Sequence, residues 1–496
     1  MHFVRPLVIA VTLWHGGALA PAAVTGPTWK DPTVIAPATG YVGVQNGLFY
    51  AMDCASASYC LGATTDIDAN GYTAAVAYEY KNGTWQNPVY MPNPTDFNFP
   101  SGTPNSTDCF VTSGKNVCQI VGGYGFTNNQ TKPWLVTSTN GTMKSVAVTL
   151  PSDATTGLQN SALRSVSCAT DVGPTCVAVG TYLDNAGDGS NPTTIPRTFP
   201  IAVTTTIPAS GTQTATSQKL PLPTDRNVNP LVSLTQISCA AVGECVAVGT
   251  YYTRDGQTKG LLETQHLGTW KATAVTPPTN AGQFAATSAS EVTCASAGNC
   301  TVVGTYGTKS RAIGAFADSL VAGVWQQAVN LTMPTGTSSN PRVMFFGFAG
   351  VSCPTTNFCA TGGQYRDSAG NVQGFLINEV GGIWQPATQL SLPADAQWAG
   401  HNGGVVAVTC VAARTCTAAG AYVDAAGNYA TGTISESPTN GWSTMSPLAF
   451  PITPGPWTNV NTGGGIYVLT CTSESACIAA GSVWDGANYQ GFALNT

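Results

Sequence analysis

Apolar and polar residues alternate along this chain in short runs, and the runs are cut by Gly, Asn, Asp and Pro. Alternation at period two is the pattern of a β-strand, and the interruptions are turn residues. One run ends at a cysteine, as in Ser165-Val166-Ser167-Cys168 or Val406-Ala407-Val408-Thr409-Cys410. A second starts at another cysteine a few residues on, as in Cys245-Val246-Ala247-Val248-Gly249-Thr250-Tyr251. A turn such as Arg366-Asp367-Ser368-Ala369-Gly370-Asn371 follows, then a third run, Gly374-Phe375-Leu376-Ile377. A Gly-x-Trp turn, Gly382-Ile383-Trp384, opens a last strand that ends in proline. No stretch carries a convincing helical period.

This unit recurs eight times, and a pair of cysteines marks each copy. The pairs are Cys54 with Cys60, Cys109 with Cys118, Cys168 with Cys176, and Cys239 with Cys245. They continue as Cys294 with Cys300, Cys353 with Cys359, Cys410 with Cys416, and Cys471 with Cys477. Length alone would suggest several domains, but self-similarity at this period overrides that prior. Four short antiparallel strands per repeat predict an all-β fold, a single eight-bladed β-propeller with one disulfide stapling the first two strands of each blade.

The second strand shows how blades stack. Gly lies four residues after the second cysteine in seven repeats, from Gly122 to Gly481, and Tyr lies six after it in six, from Tyr124 to Tyr422. Even offsets share one face, and the odd positions are often Val, so both faces are covered. The first repeat departs, with Ala63 and Thr64 where Gly is expected. The eighth repeat stops at Gly491-Phe492-Ala493-Leu494-Asn495-Thr496, its third strand. Its fourth stands at the other end, in Trp29-Lys30-Asp31-Pro32-Thr33-Val34-Ile35-Ala36. That permutation predicts a closed ring, which leaves no open array edges.

The Ser/Thr-Cys-x5-Cys-x-Ala-Val-Gly unit, as in Ser238-Cys239 to Gly249, resembles repeats of secreted, actinobacterial-type bacterial propeller proteins. The Gly-x-Trp turns resemble degenerate Asp-box hairpins of sialidase-type propellers; the Ser-x-Asp spacing is lost, and Asn82-Gly83-Thr84-Trp85 comes nearest. The resemblance implies the architecture and carries no activity.

Composition then narrows the setting. Residues 1–22 read as a signal peptide, with Arg5 before the apolar stretch from Leu7 to Trp14 and a small-residue cleavage site at Ala20-Pro21-Ala22. Residues 23–496 form the propeller. Sixteen cysteines in an exported chain imply disulfides, so secretion to the extracellular space is expected, with no transmembrane anchor. Charged residues are 8% of the chain and the formal net charge is −6, which argues against nucleic acid. No cofactor is implied, except that Asp66-Ile67-Asp68-Ala69-Asn70 matches the front of a calcium loop. That candidate calcium set, Asp66, Asp68 and Asn70, lacks the acidic residue expected at the twelfth position, where Ala77 stands.

Candidate chemistry gathers in the loops between blades, which share a face with the turn after the second strand. They hold Phe97, Phe345, Trp398 and Trp457, aromatic groups suited to a sugar ring or a protein partner. The competing reading has them plugging the channel or packing between blades. Four loops open with Pro-x-Asp, at Asp96, Asp153, Asp225 and Asp395, with Asn280 in a fifth; these acids either ring the face or cap their own turns. His401 lies beside Trp398, while His266 precedes a Gly-x-Trp turn on the opposite rim. Triads, copper sites, quinone sites and arginine clusters lack their residues. The expected ligand-binding set is therefore Asp96, Phe97, Asp225, Phe345, Asp395, Trp398, His401 and Trp457. The sequence reads as a secreted, non-catalytic binding or scaffold propeller for an extracellular glycan or protein. The alternative is a glycan-active hydrolase or lyase using loop carboxylates.

Overall fold

The computed structural model describes residues 27–71, 73–94, 102–126, 130–146, 148–155, 159–184, 197–208, 213–283, 285–338, 347–396, 403–452 and 465–496. The predicted export segment, together with Asp96, Phe97, Phe345, Trp398, His401 and Trp457, lies outside them. The described chain is eight antiparallel sheets, each in the order inner, second, third and outer strand. Blade 4 is typical: Ser233–Ala241, Glu244–Tyr252, Thr258–His266 and Thr269–Ala274. In blades 1, 5, 6 and 7 the outer strand is split in two, as at Val324–Trp325 and Val329–Leu331 in blade 5.

Both faces of a blade are packed. In blade 4, Leu261 and Trp270 meet Val177 and Val179 of blade 3, whereas Leu262 meets Val302 and Phe316 of blade 5. The recurrent glycine has a steric cause. A bulge in the inner strand between Leu234 and Gln236 lays the Ser233 carbonyl over Gly249, where a Cβ would come within 1.8 Å of it. In blade 1 the inner strand skips register between Val44 and Phe49, and Thr64 takes the glycine's place.

Eight disulfides, one per blade, join cysteines of the inner and second strands, with Cα separations of 3.9 to 4.1 Å. In blades 1 to 4 the bridges are Cys54 to Cys60, Cys109 to Cys118, Cys168 to Cys176, and Cys239 to Cys245. In blades 5 to 8 they are Cys294 to Cys300, Cys353 to Cys359, Cys410 to Cys416, and Cys471 to Cys477. These are the pairs that the spacing predicts, and no described cysteine is free. The second-strand partner is buried in every blade: Cys60, Cys118, Cys176, Cys245, Cys300, Cys359, Cys416 and Cys477. The staples are thus part of the blade cores, where they fix the frame and offer no thiol chemistry. The N-terminal strand Thr33–Ile35 pairs with Tyr489–Asn495 of blade 8, Val34 opposite Phe492, so the last blade is completed by the start of the chain.

The inner strands show what the residue before the first cysteine does in several blades. The amides of Cys239, Cys294 and Cys410 donate to the hydroxyls of Ser167, Ser238 and Ser352 in the preceding blade, each at 3.0 Å. Asp53 and Asp108 serve the same purpose for Cys109 and Cys168, at 2.7 and 2.8 Å, and Thr470 of blade 8 donates to Asp53. Each of these bonds crosses from one blade to its neighbour. Burial pushes Asp53 up to about 6, and burial with the Asp53 charge pushes Asp108 up to about 8.

Candidate functional site

The Pro-x-Asp turns are built by a backbone bond from the fourth residue to the proline carbonyl, as from Ala154 to Pro151 and from Arg226 to Pro223. Their side chains reach beyond the turn. Asp153 accepts the Tyr182 hydroxyl at 2.8 Å, Asp225 that of Tyr251 at 2.8 Å, and Asp395 that of Tyr422 at 3.3 Å. In blade 5, Asn280 accepts Tyr306 at 2.7 Å. Each tyrosine is the recurrent one, six residues past the second cysteine, and each is buried. The motif thus moors the incoming loop to the second strand of its blade. Lysine adds to two moorings: Lys219 meets Asp153 at 2.5 Å and Lys259 meets Asp225 at 2.7 Å. Partial burial opposes the charged form, yet the lysine and tyrosine hydrogen bonds outweigh it and hold Asp153 and Asp225 below the usual carboxylate range.

Blade 1 inverts this arrangement. Asp66 occupies the tyrosine position, fully buried, and accepts the Ala38 amide at 2.7 Å and the Tyr78 hydroxyl at 2.9 Å. Burial pushes it up to about 6. Asp68 accepts the Asn70 amide at 2.9 Å and caps its own turn. Two of the three residues of the calcium motif are thereby engaged in the blade's own bonding. Among the described residues no three His, Cys, Asp or Glu groups gather to hold a metal.

A cleft of about 700 Å3 opens on the opposite rim, between blades 4 and 5. Its blade 4 wall is the alternating row Thr269, Lys271 and Thr273, with Thr264, His266 and the Glu244 carboxylate alongside. Its blade 5 wall is Trp325 with the disulfide turn at Ala297 and Gly298. The Trp325 indole N–H donates to Thr264 across the seam at 2.9 Å, as Trp442 donates to Asn378 at 3.1 Å between blades 6 and 7. In these two seams the outer-strand tryptophan therefore latches its blade to the preceding one. His266 stands 73% exposed with Nδ1 2.9 Å from Glu244. Lys271 is exposed, and no described acid pairs with it. An aromatic wall, hydroxyls, and an unpaired ammonium group suit a polar, acidic ligand with one apolar face. Of this lining the sequence offers only His266, as the residue before a Gly-x-Trp turn on the opposite rim; Lys271 and Trp325 are not among its candidate site residues. The alternation Thr269-x-Lys271-x-Thr273 was the available signal, but any exposed strand edge carries one.

No protein-family model matches the chain, and no curated protein does. Solved structures similar to it include a puromycin-hydrolyzing peptidase of Mycobacterium tuberculosis, at 11% identity and TM-score 0.45, covering 92% of this chain and 61% of that one. The chain thus spans about three fifths of that protein. Aleuria aurantia lectin with alpha-methyl-L-fucoside matches at 10% identity and TM-score 0.33, over 70% of this chain and 96% of that one. NanB sialidase of Streptococcus pneumoniae matches at 12% and 0.34, over 80% and 68%. At these identities the likeness is one of fold.

Proposed function

We propose that this chain is a secreted, non-catalytic propeller of the bacterial repeat type that binds carbohydrate, and that the cleft between blades 4 and 5 takes a carboxylate-bearing saccharide. The observation that carries this reading is the pairing of the Trp325 wall with the unpaired Lys271 ammonium across one cleft. The ring context supports it, because a disulfide-stapled frame holds the two walls with little ordering cost on binding. The described loop carboxylates Asp153, Asp225 and Asp395 are already bonded to tyrosine, which favours binding over hydrolysis. Eight disulfides accord with an oxidising compartment, and among the described residues no helix is long and apolar enough to cross a membrane.

A glycan array probed with the mature chain tests the reading. Acidic glycans are expected to bind, with signal lost in high salt and in Lys271→Ala. Trp398→Ala and Trp457→Ala test the competing location on the loop face. If those two variants abolish binding at unchanged thermal stability while Lys271→Ala does not, the ligand sits among Asp96, Phe97, Asp225, Phe345, Asp395, Trp398, His401 and Trp457. No glycan signal at all refutes the reading.

A further inference from the structure

A second cleft, of about 480 Å3, lies between blades 7 and 8. Backbone register shows that it occupies the same place in the repeat as the first. Gln326, after Trp325, donates its amide to Ser319 of the blade 5 third strand; Lys30, after Trp29, donates to Asn495 of blade 8 in the same way. Trp29 is thus the blade 8 counterpart of Trp325. Across the seam, Thr264 stands opposite Val246, one residue past the second cysteine, and Ser435 stands opposite Thr417, again one past. Lys271 pairs with Thr264, and Ser443 bonds to Ser435. Two further positions later on the third strand, His266 corresponds to Ser437.

The exchange of side chains is systematic. Where the first cleft has Lys271 and His266, the second has Ser443 and Ser437, and Thr433, Asn440 and Ser446 complete the polar lining. Every polar side chain of this lining is a hydroxyl or an amide, and the apolar part is Trp29, Pro27 and Leu448. From this we infer that the blade 7–8 seam is a second saccharide site, built by the same repeat position but selecting an uncharged sugar. It rests on the carbohydrate reading of the first cleft. A neutral, polyhydroxylated ring matches hydroxyls that donate and accept, with a Trp face beside them. A charged sugar would be desolvated here with no counter-charge. Because Pro27 and Trp29 belong to the N-terminal segment that completes blade 8, the site exists only in the closed ring.

The test uses the mature chain labelled with 15N at its indole nitrogens, the Trp29 and Trp325 resonances being assigned with Trp29→Phe and Trp325→Phe. The probes are methyl glycosides of glucose, galactose, mannose and N-acetylglucosamine, and, separately, methyl glucuronide. A neutral glycoside is expected to move the Trp29 resonance saturably and leave Trp325 in place, with Trp29→Ala lowering that affinity about tenfold or more. Ser443→Lys, which installs the charge of the first cleft, is expected to make the Trp29 resonance respond to methyl glucuronide. If methyl glucuronide moves Trp325 and no probe moves Trp29, the second site is refuted and the first stands. If a neutral glycoside moves Trp29 and nothing moves Trp325, the second site stands and the first is refuted. If neither resonance moves with any probe, both fall.

Discussion

The seams between blades 4 and 5 and between blades 7 and 8 are built on one plan and filled with different residues. Both place the tryptophan of the outer strand against the third strand of the preceding blade and leave a cleft beside it. In the first seam Trp325 bonds Thr264. In the second, Ser435 replaces that threonine, and the buried Trp29 indole N–H has no acceptor. Deeper in the first seam lies Asp318, on the same face as Phe316 and Leu320, buried and with no side chain among the described residues bonded to its carboxylate. Its counterpart in the second is Leu494, since each stands opposite the residue two past the second cysteine. The repeat sets where a cleft can form. The few side chains that face the seam then decide its charge, its latch and its response to pH.

The largest way to break this comparison is to remove the strand that only one seam depends on. Deleting residues 23–37 takes away Trp29 and the pairing of Thr33–Ile35 with blade 8. It is expected to cost about 3–5 kcal/mol, the scale of losing a packed tryptophan, and to abolish binding of neutral glycosides. A melting temperature equal to that of the intact chain would show that closure by this strand contributes nothing.

The next effect is electrostatic and confined to the other seam. Burial pushes Asp318 up to about 7. The folded chain therefore holds a proton that the unfolded chain releases near pH 4. Stability falls as pH rises from about 4 to about 7 and stays reduced above that. Asp318→Asn cannot ionise, so it is expected to add about 2–4 kcal/mol at pH 8 and to change little at pH 4. Urea unfolding at the two pH values checks this; an equal gain at both would mean that packing rather than ionisation is involved. Glu436 in the seam between blades 6 and 7 is also pushed by burial to about 7, so the chain as a whole should gain stability on mild acidification.

The smallest effect separates the two latches. Trp325→Phe leaves Thr264 without its donor and is expected to cost about 1 kcal/mol. Trp29→Phe removes a donor that had no acceptor and is expected to be neutral or slightly stabilising. Equal losses in calorimetry would show that the Trp325–Thr264 bond contributes nothing measurable.

The amino-acid sequence by itself determined the number of blades, their four-strand order, the disulfide partners and the strand that closes the ring. All of these depend on local signals: period-two alternation, cysteines a few residues apart, and a terminal strand missing from one end and present at the other. The glycine and tyrosine positions were legible too, though not their purposes. Only the tertiary structure decided that the serine before Cys239 accepts the Cys294 amide one blade later, that Asp225 holds Tyr251, and that Asp66 replaces a tyrosine rather than standing in an open loop. It also decided that Lys271 and Trp325 share a cleft. These partners lie a loop or a whole repeat apart, and each strand has two faces that meet different blades. A pattern along the chain records which residues alternate, whereas the neighbour across a seam depends on how the blades splay and where a bulge shifts the register.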